Sequence, residues 1–252
     1  MTETLPPPKF PPRAPKHLPS RREVHDIESH QKRGPMSWVK EIGSILLVAF
    51  IFSTLIRAFV IQVFWIPSPS METTLSVNDR VVISRFSAWT GDFERGDVVV
   101  FNDSSGWLTR QESTGIKAFI RKVGEFTGFV PANGEQVLVK RLIGLPGDTV
   151  ECCSADGKIM VNGVAIDETA YLYPGVLTSE VPFKVTVPEG KVWVMGDNRP
   201  NSADSRFHED AKGQGFVPIS DIVGRGMVVI WPQQHWGGVS GRAAFESVPD
   251  PQ

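Results

Sequence analysis

The apolar positions of this chain fall into one long block followed by many short ones. Ile42–Ile56 runs for 15 residues without a charge, and beyond Arg57 the apolar character resumes through Ala58–Trp65. The uncharged part is shorter than the roughly 20 residues that cross a ~30 Å hydrocarbon core, so Lys40, Glu41 or Arg57 must reach toward the interface. Trp38 and Trp65 bracket the block at the positions aromatic side chains take at a membrane–water boundary. The pattern predicts a transmembrane anchor over residues 37–65, with a buried core helix as the alternative. No later stretch approaches the length of a second crossing.

From Asp79 onward the period shortens. Runs of β-branched and aromatic residues read as strands over Arg80–Phe86, Asp97–Phe101, Glu135–Ile143, Thr149–Glu151, Lys158–Val161, Phe183–Val187, Lys191–Met195 and Met227–Trp231. Turn chemistry separates them, as at Gly91-Asp92, Pro146-Gly147-Asp148 and Asn162-Gly163. Within Thr114–Val130, Ile116, Phe119, Ile120, Val123 and Phe126 recur close to helical spacing, which predicts a short amphipathic helix that either packs on the sheet or touches lipid. The expected fold class is mainly β: a strand-rich domain over residues 66–235 with one N-terminal transmembrane helix and a short inserted amphipathic helix, the insertion lying near 104–134. Residues 1–36, with eight prolines among scattered charges, predict a disordered tail, and residues 236–252 read as a loose tail.

Charge refines the topology. Residues 1–40 carry Lys9, Lys16, Lys32, Lys40, Arg13, Arg21, Arg22 and Arg33, the excess expected of a cytoplasmic flank, so the domain after the anchor is placed outside the cytoplasm. The start of the chain lacks the basic, apolar and small-residue regions of a secretory signal. With 26 Lys+Arg against 28 Asp+Glu, the net charge of -2 gives no electrostatic reason to expect a nucleic-acid partner. The two cysteines, Cys152 and Cys153, are adjacent, where strand side chains point to opposite faces and a mutual disulfide would be strained, so no disulfide framework can be read. With no second cysteine pair and His208 remote in sequence, their spacing does not support a metal site.

Three features could carry chemistry. Ser70 lies in Ile66-Pro67-Ser68-Pro69-Ser70-Met71, where two prolines stiffen the turn that presents it; a solvated loop serine is the plainer reading. In Val137–Ile143 the strand period puts Lys140 between Leu138 and Leu142 on one face, with Arg141 on the other. If that face is covered, burial favours the neutral amine, which could accept a serine proton; an edge-strand lysine left in water is the alternative. The polar stretch Gly196–Arg206 places Asp197 and Asp204 to pair with Arg199, Arg206 or Arg141, or else forms a solvated turn.

Together these segments resemble the bacterial type I signal peptidases, the leader peptidases of the plasma membrane. The resemblance covers about residues 40–231. It rests on Pro67–Met71 with Thr74-Leu75, on Asp79-Arg80-Val81, on Arg95–Phe101, and on Val139–Asp148 with the Gly196–Arg206 stretch. It implies a strand-rich serine protease of the bacterial plasma membrane, crossing once with its N-terminus cytoplasmic and working without metal or cofactor. Its partners would be the lipid bilayer and secretory preproteins, cut after small residues at sites of the Ala-x-Ala type. It further implies that Ser70 is the nucleophile and Lys140 the general base, a serine–lysine dyad in place of Ser-His-Asp. Ser68 would join the Ser70 backbone N–H in an oxyanion hole, and Ser202 would orient the lysine amine. Arg141, Asp197, Asn198, Arg199, Asp204 and Arg206 would brace the site.

Other classes fit less well. A Ser-His-Asp hydrolase would have only His208 or His235 outside the tail, and no Gly-x-Ser-x-Gly elbow exists. Ser37-Trp38-Val39-Lys40 matches Ser-x-x-Lys but sits at the membrane edge without a Lys-Thr-Gly partner. A self-cleaving repressor would need a DNA-binding helical domain where the proline-rich tail and anchor stand. A tethered β-rich binding protein would leave the lysine between leucines unexplained.

Overall fold

The computed structural model describes residues 35–108 and 137–251. Helix α1 spans Pro35–Phe59. Its stretch Ser37–Ile56, 20 residues, is long and apolar enough to cross a membrane, and none of it is buried within the chain. A core helix would bury at least one face, so this helix has the character of the anchor and not of the alternative.

The helix ends at Phe59, short of the expected boundary at Trp65. Ile61–Trp65 instead forms strand β1, which pairs antiparallel with β2 (Arg80–Ser84), Ile61 opposite Ser84 and Trp65 opposite Arg80. The anchor boundary drawn from sequence is therefore corrected. An apolar strand that follows an apolar helix almost without a break reads as one block, because total apolarity hides the change of period.

The elements that follow are α2 (Phe86–Thr90), β3 (Val98–Asn102), β4 (Val137–Gly144), β5 (Thr149–Cys152), β6 (Ile159–Val161), β7 (Val164–Ala165), β8 (Phe183–Thr186), β9 (Lys191–Met195), β10 (Val217–Pro218), β11 (Ile222–Trp231) and β12 (Gly237–Gly238). Among the described residues these strands make two antiparallel sheets. The larger has the order β1-β2-β11-β3-β4-β9-β10, with β12 added to β11, and the smaller the order β7-β6-β5-β8. Two expected strands change: the Arg80–Phe86 run stops at Ser84, with Phe86 opening α2, and the last long strand begins at Ile222 instead of Met227.

Strand β3 runs through the middle of the larger sheet. Val98 and Val100 pack with Phe64, Ile66, Met71, Leu75 and Ile83, and Val99 and Phe101 pack with Leu142, Val192 and Val194 in a separate cluster. Burial on both faces is why this strand reads as a continuous apolar run and not as an alternation. The smaller sheet closes a third cluster in which Val150, Ile159 and Phe183 meet Trp193, Met195 and Phe216. Gly144 is where the chain leaves one sheet for the other: a Cβ there would lie 2.6 Å from a Val150 methyl carbon and 3.0 Å from one of Val187, so no side chain fits.

The C-terminal segment is not a loose tail. Val239 joins one core cluster and Phe245 and Val248 another. Gly241 N–H donates to Gly96 O (2.9 Å), and Arg242 donates from Nε to Asp97 Oδ1 (2.7 Å) and from Nη1 to Glu94. Low apolar density conceals a strap that is anchored at a few points. Cys152 and Cys153, for which no pairing was expected, are joined to each other by a disulfide, their Cα atoms 3.0 Å apart. Residues 1–34 of the tail expected to be disordered, the helix over Thr114–Val130 and most of the insertion near 104–134 fall outside the described residues, while residues 35 and 36 open α1.

Phe245→Ala is expected to lower the unfolding free energy by about 3–5 kcal/mol, as truncation of a buried phenylalanine does. Urea denaturation followed by tryptophan fluorescence checks this, and a change within about 0.5 kcal/mol would return the segment to the status of a loose tail.

Candidate active site

The segment between β1 and β2 is closed at its base by two backbone bonds, Ile66 N–H to Asp79 O (2.9 Å) and Asn78 N–H to Ile66 O (2.8 Å). Within it Pro69–Met71 makes a single 3₁₀ turn, which the proline at its first position favours. Met71 and Leu75 are driven into the core beside Val81 and Ile83, and this fixes the turn and leaves Ser70 only 8% exposed. Lys140 lies on β4 opposite Val99 of β3. Leu138 and Leu142, its neighbours on the same face, pack in the cluster that holds Val99, and the lysine is 3% exposed. Of the two sequence readings for this residue, burial is the one observed.

Ser70 and Lys140, 70 residues apart in sequence, meet with Nζ 2.7 Å from Oγ. Ser68 Oγ lies 3.3 Å from Ser70 Oγ. Behind the serine runs the loop after β9, where Asn198 N–H donates to Ser70 O (3.1 Å) and Asn198 Nδ2 to Pro69 O (3.2 Å). Gly196 must be glycine: a Cβ would stand 2.5 Å from both Ser70 O and Ser202 Cβ. Ser202 is thus buried against the same spot, but its hydroxyl makes no hydrogen bond among the described residues, to Lys140 or to any other group. The expected hydrogen bond between Ser202 and the amine is not present among the described residues.

The charged residues of the loop sort into pairs. Arg141 donates from Nε to Asp197 Oδ1 (2.8 Å) and from Nη2 to Asp197 Oδ2 (2.7 Å), and Thr74 Oγ1 donates to the same carboxylate (2.6 Å). Arg206 donates from Nε and Nη2 to the two oxygens of Asp204 (2.8 Å each), whose Oδ2 also accepts from Gly196 N–H (2.9 Å). Arg199 finds neither aspartate. It donates from Nη2 and Nη1 to Glu168 (2.5 and 3.0 Å), a residue that sequence reasoning did not single out because it stands in an irregular segment without motif or periodicity. Tyr171, also missed, donates to Glu168 Oε1 (2.9 Å) and offers its ring to the Arg141 guanidinium at 4.0 Å. His208, the rival base, has Nδ1 2.8 Å from Asp204 O and stacks on Trp107 at 4.3 Å, so both its ring face and that nitrogen are already engaged.

A family profile described as "Signal peptidase, peptidase S26" matches residues 36–231. The chain belongs to this family. Its relatives include a probable signal peptidase I of Mycobacterium leprae (strain TN), 34% identical over 241 residues, covering 84% of this chain and 82% of the relative. Signal peptidase I of Mycobacterium tuberculosis (strain ATCC 25618 / H37Rv) is 34% identical over 227 residues, covering 81% and 76%. Signal peptidase I P of Bacillus subtilis subsp. natto is 34% identical over 219 residues, covering 83% and 96%.

In this signal peptidase, burial is the main influence on the Lys140 amine and pushes its pKa from 10.5 down to about 8; Asp204 and Asp197 pull it back up and Arg206 adds to the lowering. At pH 7 about a tenth of the amine is uncharged, and an uncharged amine at 2.7 Å from a hydroxyl can accept its proton. Arg141 is held above its ordinary value, because the Asp197 carboxylate outweighs the opposing effect of burial.

The lowered value has a consequence for stability. The unfolded chain binds the lysine proton more tightly than the folded one, so a penalty of about 3 kcal/mol is fully present below pH 8 and fades as pH rises from 8 to 10.5. Lys140→Met, which fills similar volume without the charge, is expected to unfold about 2–3 kcal/mol less readily than the native chain near pH 6, with the gap narrowing toward pH 10. Equal stabilities of the two proteins near pH 6 would contradict the burial cost.

Proposed function

We propose that the chain removes signal peptides from secretory preproteins by a serine–lysine mechanism in which Ser70 is the nucleophile and Lys140 the general base. The carrying observation is the 2.7 Å approach of the two side chains in a setting that is 3% exposed at the lysine. Family membership makes the chain a signal peptidase of the serine endopeptidase class, and helix α1 supplies one candidate anchor. The rest is our reading of the geometry.

Ser70 Oγ attacks the scissile carbonyl carbon as its proton passes to Lys140 Nζ. The tetrahedral oxyanion takes hydrogen bonds from Ser70 N–H and Ser68 Oγ–H, a pair of donors of the kind that contributes about 3–4 kcal/mol each. The lysine ammonium then returns its proton to the leaving amine as the C–N bond breaks, which leaves an ester on Ser70. Lys140, neutral again, takes a proton from water as it attacks that ester; the resulting ammonium returns the proton to Ser70 Oγ as the ester C–O bond breaks, and the acyl group departs as a carboxylic acid that ionises in solvent. The loop after β9 supports the reading by fixing the Ser70 carbonyl through Asn198 and by bracing the lysine's surroundings through Arg141–Asp197 and Asp204–Arg206. Ser202 contributes by filling the wall against Gly196.

On this reading the substrates carry small residues at Ala-x-Ala sites. The basic N-terminal flank keeps residues 1–36 in the cytoplasm, and the strand-rich domain works outside the cytoplasm against the bilayer.

Ser70→Ala and Lys140→Ala are each expected to lower kcat on an Ala-x-Ala preprotein reporter in detergent by about four orders of magnitude or more, with the fold kept. Turnover retained by either purified variant would reject the dyad. With native protein, kcat should rise with pH through an apparent pKa of about 8 and level off above it, since the ammonium form cannot accept the proton. A profile that stays flat between about pH 6 and 9 would reject Lys140 as the base.

A further inference from the structure

Three buried guanidinium groups are tied to the loop behind the dyad, and the Gly196–Arg206 stretch supplies only two carboxylates. Asp197 holds Arg141 and Asp204 holds Arg206. The third, Arg199, is fully buried and its counter-charge is Glu168, itself 4% exposed. All of Glu168's bonding goes inward: Oε1 accepts from Arg199 Nη2 and Tyr171 Oη, and Oε2 accepts from Arg199 Nη1. Arg199 then reaches the reaction centre by one bond, Nε to Gly196 O (2.9 Å), and Gly196 is the residue against which Ser70 O and Ser202 pack too closely for any side chain. The same segment holds the other arginine's surroundings. Tyr171 lies under Arg141, and Tyr173 N–H donates to Asp197 O (3.1 Å).

We propose that Glu168 is a positioning residue for the reaction, neutralising Arg199 so that Gly196 stays seated against Ser70 and no unbalanced positive charge stands near the Lys140 amine. The inference rests on the dyad reading above. It differs from an ordinary structural ion pair in what it says about protons. The groups facing Lys140 are the carboxylates of Asp197 and Asp204 and the guanidinium of Arg206, with Arg141, Arg199, Glu168 and Tyr171 immediately behind them. With Glu168 charged, three guanidinium groups are matched by three carboxylates. With a neutral side chain in its place, one buried positive charge is left over, and a nearby positive charge favours the neutral amine.

The test compares Glu168→Gln, Glu168→Asp and the double variant Glu168→Gln/Arg199→Gln with native full-length protein in detergent, using a signal-peptide reporter over a pH series. For Glu168→Gln, kcat is expected to fall about tenfold or more with KM within about threefold, because a small misplacement of the reacting groups is felt in the chemical step. Its acid limb should also move down by about half a pH unit, as an added positive charge requires. Glu168→Asp keeps the charge, so its acid limb should stay at the native position while kcat recovers part of the loss. In the double variant no charge is left over; the acid limb should return to the native position while kcat remains low, since Gly196 has lost its anchor.

A folded Glu168→Gln with native kcat and native acid limb overturns the proposal. So does a lowered kcat with an unmoved limb, which would make the pair merely structural. If Glu168→Gln is recovered only unfolded, the double variant decides: native kcat there overturns the role, and a kcat about tenfold lower with unchanged KM upholds it. Failure of the dyad itself would show separately, as turnover by Ser70→Ala.

Discussion

The amine of Lys140 sits 2.7 Å from the hydroxyl of Ser70 in a place that water barely reaches, and the rest of the domain is arranged around keeping it there. A lysine resists such burial in its charged form. The fold imposes it by setting the residue in an interior strand, flanked on its face by two leucines and paired across the ladder with Val99. The serine is brought to it by a proline-stiffened turn whose next residues, Met71 and Leu75, are core residues. Neither partner can withdraw without exposing apolar surface, so the short contact is a result of packing before it is a result of hydrogen bonding.

Around the Lys140 amine lies a balanced shell of full charges. Arg141–Asp197, Arg206–Asp204 and Arg199–Glu168 are each joined by two hydrogen bonds, and further donors go to backbone oxygens such as Gly96 O and Thr178 O and to the hydroxyls of Thr74 and Ser179. Buried pairs of this kind contribute little net stability compared with apolar packing, but breaking one leaves an uncompensated charge and is severe. Their value here is geometric: they fix an irregular loop, including Gly196 and Asn198, against the back of the nucleophile's turn.

Much of this was legible in the chain. Short apolar runs between turn residues marked seven of the strands to within two residues at each end and the second half of an eighth, since alternation and turn chemistry are local properties. The placing of Lys140 between leucines left a buried amine and an edge-strand lysine as the two readings, and the density of Asp and Arg after Met195 left mutual pairing beside a solvated turn; the fold selects the first of each. What local pattern cannot show is partnership at a distance. Glu168 and Tyr171 stand in an irregular stretch with no period, and only the fold brings them under Arg199 and Arg141. The strap over residues 237–251 escaped notice because a few widely spaced apolar residues anchor it. Strand β1 was absorbed into the helix because both are apolar. Ser202 was expected to touch the amine and instead packs its side chain on Gly196, a matter of a single side-chain orientation that no spacing rule determines.

The most direct measurement of the central claim is titration of the Lys140 side chain itself. Native protein in detergent micelles, with lysine labelled at the ε-carbon and the Lys140 signal assigned by its loss in Lys140→Met, gives the midpoint from chemical shift against pH. A midpoint near 8 is expected for an amine held in this dry site beside Ser70. A midpoint near the ordinary 10.5 would show a solvated ammonium at neutral pH and would contradict the assignment of this residue as the base.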